Sequence, residues 1–284
     1  MKPQPPSPIV LERIVRMALE EDIARGDITT QSTVPAEVQG EASFRARESL
    51  VLSGLDVIDT VYRIVDASLT LERVAADGDR LEKGGVAAVV RGSARSILLG
   101  ERVALNFAQR MSGTATLARS YVDAIPEGSG CRIADTRKTT PGLRALERYA
   151  VRCGGAHNHR EDLSSAVLIK DNHIAAAGGV TAAIKAAQAW APHTCRVECE
   201  VDTFAQLEQA LDAGADVIML DNFDNDEVKR AVEFVAGRAI LEASGNITLE
   251  RIAALAKAGV DVISSGALTH SARAVDLGLD WAGN

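Results

Sequence analysis

The sequence predicts an α/β protein in two parts, a small α+β domain followed by a parallel β–α array. Three observations carry that expectation. After Gly130, short aliphatic runs recur with helical patterns between most of them, the pattern of a parallel sheet. Before it, helices mix with strands that read as antiparallel. Ala, Val, Ile and Leu dominate while aromatics make up only 4% of the 284 residues, which suits aliphatic strands under Ala-rich helices.

Taken in order, residues 9–25 carry apolar side chains at helical spacing, and "GDITTQSTVP" follows as a loop. "VQGEASFRARESLVLSG" alternates as strands do, and "LDVIDTVYRIV" returns to helical spacing. "LTLERVAADGDRLEKGGVAAVVRG" reads as two strands around a Gly/Asp turn, and a long Ala-rich helix runs from Ser96 to Ile125. Strands then fall on "CRIAD", "SAVLIK", "RVECEV", "DVIML", "RAILEA" and "VDVISS". Helices fall on "PGLRALERYAVRCGG", "TAAIKAAQAW", "FAQLEQALDAG", "NDEVKRAVEFVA" and "TLERIAALAKAG". So many β–α units suit a barrel, with an open doubly wound sheet as the alternative. No G-x-G-x-x-G follows a strand, which lowers a dinucleotide-binding reading.

Bulk properties exclude several classes. A formal net charge of −8 argues against a general nucleic-acid binder, which needs a basic face for phosphates. No apolar run approaches the ~20 residues that span a bilayer. "MKPQPPSPIV" lacks the apolar core of a signal peptide, so a cytoplasmic location is expected. Cys131, Cys153, Cys195 and Cys199 fit a reduced compartment. The C-x-x-x-C of Cys195 and Cys199 beside His193 lacks a second pair, so buried thiols are expected rather than zinc.

Chemistry gathers where the strands end. "CRIAD" runs into Arg137 and Lys138, "SAVLI" ends at Lys170, and "VIML" ends at Asp221. In parallel barrels the active site lies at this end of the strands. In "VECEV", Glu198 and Glu200 share one face and Val197, Cys199 and Val201 the other. The apolar set should meet the helices, which points both carboxylates inward. Buried carboxylates need nearby cations, and Lys170, Arg137 and Lys138 are the candidates.

In "RCGGAHNHREDL" two glycines break a helix, and His157, His159 and Arg160 follow in a polar loop. Metal binding by the two histidines lacks a matching third ligand, so a cationic cradle for anions is the better reading. "AILEA" opens into Ser244-Gly245-Asn246 and "DVISS" into Ser265-Gly266-Ala267. Glycine lets backbone approach a phosphate, and the helix "ITLERIAALA" offers free N–H groups behind the first loop. Cations, a phosphate cradle and two carboxylates together suit phosphoribosyl transfer, in which an oxocarbenium-like carbon forms as pyrophosphate leaves.

"DTRKTTPGLR", "GGAHNHREDLSS", "LIKDNHI", "VECEVD", "IMLDNF", "EASGNI" and "ISSGALTHS" closely resemble the quinolinate phosphoribosyltransferases. "ALEEDIARGDITT" and "GERVALNFAQRMSGTAT" resemble the same family, so the likeness spans nearly the whole chain. It implies an N-terminal α/β sandwich domain plus an incomplete parallel α/β barrel. The expected domains are 1–125 and 126–271, with 272–284 open to recruitment by the first. The implied reaction joins quinolinate to 5-phosphoribosyl 1-pyrophosphate, with Mg²⁺, and yields nicotinate mononucleotide, pyrophosphate and CO₂. The implied assembly is a homodimer, or a larger one such as a hexamer, in which Arg102 enters the partner's site.

By the same resemblance, Arg137, His159, Arg160 and Lys170 hold the quinolinate carboxylates, with Thr136 beside them and Arg102 assisting. Lys138 faces the pyrophosphate. Glu200 and Asp221 lie near the ribose hydroxyls and Mg²⁺. Ser244, Gly245, Asn246, Ser265, Gly266, Ala267 and His270 take the 5′-phosphate. Lys138, Lys170, Glu200 and Asp221 form the expected catalytic set. Cys199 departs from the valine expected in relatives. Three rivals stand beside this reading: a phosphoribosyltransferase for nicotinate, a barrel aldolase with Lys170 as Schiff-base nucleophile, and a degenerate anion sensor. The last fits poorly with Lys138, Glu200 and Asp221 all being present.

Overall fold

The computed structural model describes residues 3–282 and divides the chain into two compact units. The first comprises 1–119, 139–155 and 267–284, and the second 120–138 and 156–266. Residues 139–155 and 267–271, read from sequence with the barrel, thus group with the first unit. Among the described residues no helix is long and apolar enough to cross a membrane.

The first unit opens with α1 (Pro8–Ile23), which starts on a proline and buries Leu11, Ile14, Val15 and Leu19 along one stripe. Next comes α2 (Ile28–Thr33), where the sequence suggests a loop. The Asp27 carboxylate caps it, accepting from the Thr30 N–H at 2.9 Å. Two adjacent threonines, poor helix formers, hide that helix from a propensity reading. β1 (Gln39–Ala46), β2 (Leu50–Val51) and α3 (Leu55–Val65) follow as expected.

Residues 69–92 hold three strands rather than two: β3 (Thr70–Arg73), β4 (Arg80–Leu81) and β5 (Val86–Ser93). The chain leaves β3 through a turn at 76–79, and β4 pairs with β2, Leu50 opposite Leu81, instead of with β3. α4 (Ala94–Asp123) is the long helix.

Between α4 and the next element of this unit lies β6 (Arg132–Ala134), which belongs to the second unit. α5 (Arg144–Cys153) returns to the first.

The second unit continues as an alternating series. β7 (Val167–Ile169) leads into α6 (Asp171–Ala177), a short helix unmarked in the sequence reading, and then α7 (Val180–Trp190). β8 (Val197–Val201) and α8 (Phe204–Asp212) follow, then β9 (Val217–Asp221) and α9 (Asn225–Val235). β10 (Ile240–Ser244), α10 (Leu249–Ala258) and β11 (Val262–Ser264) complete it. Two elements close the chain in the first unit, α11 (Ala267–His270) and β12 (Leu277–Trp281).

In the first unit the strand order is β12-β1-β5-β3, antiparallel throughout. Apolar residues of this sheet, α1, α3 and α4 form one core, where the Phe44 and Tyr62 rings meet edge to face at 6.1 Å. The second unit has six parallel strands in the order β6-β11-β10-β9-β8-β7. Six strands with β6 and β7 at the edges make an incomplete barrel rather than a closed one. Their C-terminal ends are level, Asp221 sitting opposite Ser244 and Glu200 opposite Met219.

Candidate active site

A cavity of about 470 Å³ opens at those C-terminal ends. Thr136, Arg137 and Lys138 reach it from the loop after β6, and His159 and Arg160 from the loop before β7. Lys170, Glu200, Asp221 and Ser244–Gly245 come from the ends of β7, β8, β9 and β10. Leu168 and Met219 supply an apolar wall, which the sequence reading did not include. Four expected cationic side chains and His159 therefore share one space with two expected carboxylates. The barrel side of the fold converges them because most follow a parallel strand, while backbone pairing of His157 with Ile133 and Asp135 brings His159 and Arg160 beside β6.

As the alternation predicts, Val197, Cys199 and Val201 are buried on one face of β8. On the other face Glu200 forms an ion pair with Lys170. Glu198 finds a partner the sequence reading did not assign: the His159 Nε2 lies 3.2 Å from its Oε2. A third acid, Glu242 on β10, is 3% exposed and brings Oε1 to 3.6 Å from the same nitrogen. Glu242 was legible in "RAILEA" by the argument used for Glu200, an acid alternating inward in an apolar strand.

Burial, and then the charge of Glu198, pushes the Glu242 pKa up to about 7. Burial alone would lower the pKa of His159. The hydrogen bond to Glu198 and the charges of Glu242, Glu198 and Asp135 outweigh it and raise the value. Burial, then the neighbouring Arg137, lowers the Arg160 pKa. Two cations held this close suit an anionic ligand. At Asp221, burial and the charge of Asp202 raise the pKa, Lys170 and Lys138 oppose, and Asp171 adds to the rise.

The loop carrying His159 and Arg160 is pinned by Asp135, which is fully buried. Its Oδ1 accepts the His159 N–H at 2.7 Å and its Oδ2 accepts from Asn158 Nδ2 at 2.6 Å. The Asp135 N–H in turn donates to the His157 carbonyl at 3.0 Å. Sequence reading passed over Asp135 as the start of the basic run.

The phosphate-cradle candidates form a network of their own. Asn246 Nδ2 donates to Asn222 Oδ1 at 3.0 Å, and Asn222 Nδ2 donates to Asp221 Oδ2 at 2.8 Å. Gly245 sits at φ +80°, and a Cβ there would press into the Asn222 side chain. Arg251 ties the two loops together, bonding the carbonyls of Phe223 and Gly245. Ser265 donates its N–H to the Ala134 carbonyl at 3.0 Å, which places the second small-residue loop beside β6. Ala267 and His270 belong to the first unit, as does Arg102, which is exposed on α4.

Among the described residues one three-residue cluster could hold a cation. His159, Glu198 and Glu242 each bring one ligand atom to within 4.8 Å of the others. Glu200 is already paired with Lys170, whereas Asp221 lies in a field of further acids.

Such a fold and site define a class, that of barrel enzymes whose strand ends bind anionic substrates. The chain belongs to the quinolinate phosphoribosyltransferase family. Residues 27–112 match the quinolinate phosphoribosyl transferase N-terminal domain and residues 114–280 its C-terminal domain. A probable carboxylating nicotinate-nucleotide pyrophosphorylase of Bacillus subtilis is 43% identical over 270 residues, covering 95% of this chain and 93% of that protein. A decarboxylating quinolinate phosphoribosyltransferase of Nicotiana tabacum is 40% identical over 95% of this chain and 81% of its own length. The solved nicotinate-nucleotide pyrophosphorylase of Francisella tularensis is 41% identical with a TM-score of 0.91, covering 96% of each chain.

Proposed function

We propose that the protein transfers the phosphoribosyl group of 5-phosphoribosyl 1-pyrophosphate to quinolinate with loss of CO₂, giving nicotinate mononucleotide and pyrophosphate. The observation that carries this is the gathering of Arg137, Lys138, His159, Arg160 and Lys170 around one cavity with an apolar wall. Leu168 and Met219 suit the face of a pyridine ring, while the cations suit its two carboxylates.

In this reading the ring nitrogen attacks the ribose carbon as the pyrophosphate oxygen departs. Glu200 and Asp221 place negative charge where the sugar turns cationic, and Lys138 meets the leaving group. The nitrogen becomes quaternary, so the adjacent C–C bond can release CO₂ and leave its electron pair on a ring carbon that the positive nitrogen stabilises. A proton from solvent completes the product. No side chain need act as a general acid or base.

The Mg²⁺ implied by the resemblance fits Asp221 best, since Asp202 and Asp171 crowd it with negative charge and oxygen donors suit this ion. When bound, the ion supplies charge that offsets the departing pyrophosphate. The same reading includes a cytoplasmic homodimer, or a hexamer, in which exposed Arg102 serves the neighbouring copy.

Purified protein with quinolinate, phosphoribosyl pyrophosphate and Mg²⁺ tests this directly. Mononucleotide and CO₂ should form in equal amounts, and nicotinate should be used roughly 10⁴-fold less efficiently, because one acid-binding cation set is left unmatched. Equal use of nicotinate would overturn the dicarboxylate reading. For the phosphate cradle, Gly245→Ala forces a side chain into left-handed backbone and against Asn222. Its KM for phosphoribosyl pyrophosphate should rise roughly tenfold or more, with KM for quinolinate nearly unchanged.

A further inference from the structure

We propose that Glu198 and Glu242 form a paired carboxylate seat for His159, and through it act as positioning residues for the acid-binding half of the cavity. The inference rests on the phosphoribosyl-transfer reading for its activity readout and deepens it. Both carboxylates are buried beneath the cavity, at 6% and 3% exposure. They come from β8 and β10, alternate strands of the sheet, whose inward side chains share interior layers in barrels. Between them sits His159 Nε2, 3.2 Å from Glu198 Oε2 and 3.6 Å from Glu242 Oε1.

The other ring nitrogen is committed as well. Nδ1 accepts the backbone N–H of Arg160 at 2.7 Å, so the proton of a neutral ring sits on Nε2 and faces the acids. The imidazole is thus a strut between the barrel interior and the Arg160 backbone. Turning it would strand one backbone N–H and take the histidine partner from the buried Glu198, an outcome costly in a low-dielectric interior. The strut sets where the Arg160 backbone lies, and its guanidinium is steadied at the far end by the Ala166 carbonyl, 3.0 Å from Nη1. Two acids beneath an anion pocket would otherwise repel the ligand, and His159 stands between them and the cavity.

Glu198→Gln and Glu242→Gln keep the shape and remove the charge of the seat. Each should raise KM for quinolinate roughly 10–100-fold, as misplaced binding groups do, while KM for phosphoribosyl pyrophosphate changes less than about threefold. Independently of turnover, ¹⁵N spectra of His159, assigned with His159→Asn, should show one tautomer with the proton on Nε2 in the parent and a mixture in both variants. Unchanged His159 signals would overturn the proposal, as would an equal rise in both KM values with a lowered melting temperature. If the parent protein does not convert quinolinate, the reaction assignment fails, and the His159 spectra still decide the seat.

Discussion

Lys170→Ala is expected to lower kcat/KM for quinolinate roughly 10–100-fold, below the range for truncating one partner of a fully buried charge pair, because the Lys170 side chain is 44% exposed. The ammonium pairs with Glu200 at the floor of the cavity, where the Glu200 side chain is only 13% exposed. Removing it does two things at once. A substrate carboxylate loses a cation, and Glu200 is left as an uncompensated charge that repels the incoming dianion. The loss should sit in KM for quinolinate as well as in kcat, because Lys170 also offsets charge at Asp221. Lys170→Ala with Glu200→Gln should recover part of the quinolinate KM, since the stranded carboxylate is gone, but not kcat. Steady-state kinetics of the three variants check this, together with a search for a mononucleotide that retains both carboxylates. Full activity in Lys170→Ala would remove Lys170 from the site.

Much of this arrangement was legible in the chain, for a physical reason. Parallel strands alternate with helices and end level, so a residue at a strand end is assigned to the cavity without knowledge of any contact. Lys170, Glu200 and Asp221 follow that rule, and the side-chain alternation of β8 turned both of its acids inward. What escaped depends on pairing across the sequence. Glu198 meets His159 from 39 residues away, and no local pattern marks that partnership. β4 is similar, since its two residues pair with β2 and resemble a turn in isolation. α2 was missed for a local reason, because its Asp27 cap outweighs the poor propensity of "ITTQST".

Asp135 shows how such a distant pairing governs the site, and Asp135→Ala should be the most damaging change outside the cavity lining. The carboxylate is the acceptor for the His159 N–H and for Asn158 Nδ2, in a place fully closed to solvent. Alanine leaves both donors without their acceptor, at about 1–3 kcal/mol each. For a protein of this size that corresponds to a fall in melting temperature of about 3–10 °C. Catalysis should suffer separately, since the loop bearing His159 and Arg160 loses its anchor, with kcat/KM down roughly 100-fold. Asp135→Asn should be milder, because Asn158 can turn its amide to offer a carbonyl to the new NH₂ group. Both variants remove a negative charge that raises the His159 pKa. A raised histidine pKa stabilises the fold below the unfolded value, and that contribution is lost as pH rises through the folded one. The His159 titration should therefore move to lower pH in both variants, and this part of the stability should fade earlier on the way up. Melting curves from acid to mildly alkaline pH, beside His159 NMR titrations, test this. A variant as stable and active as the parent, with His159 titrating unchanged, would show that the loop is held by something other than Asp135.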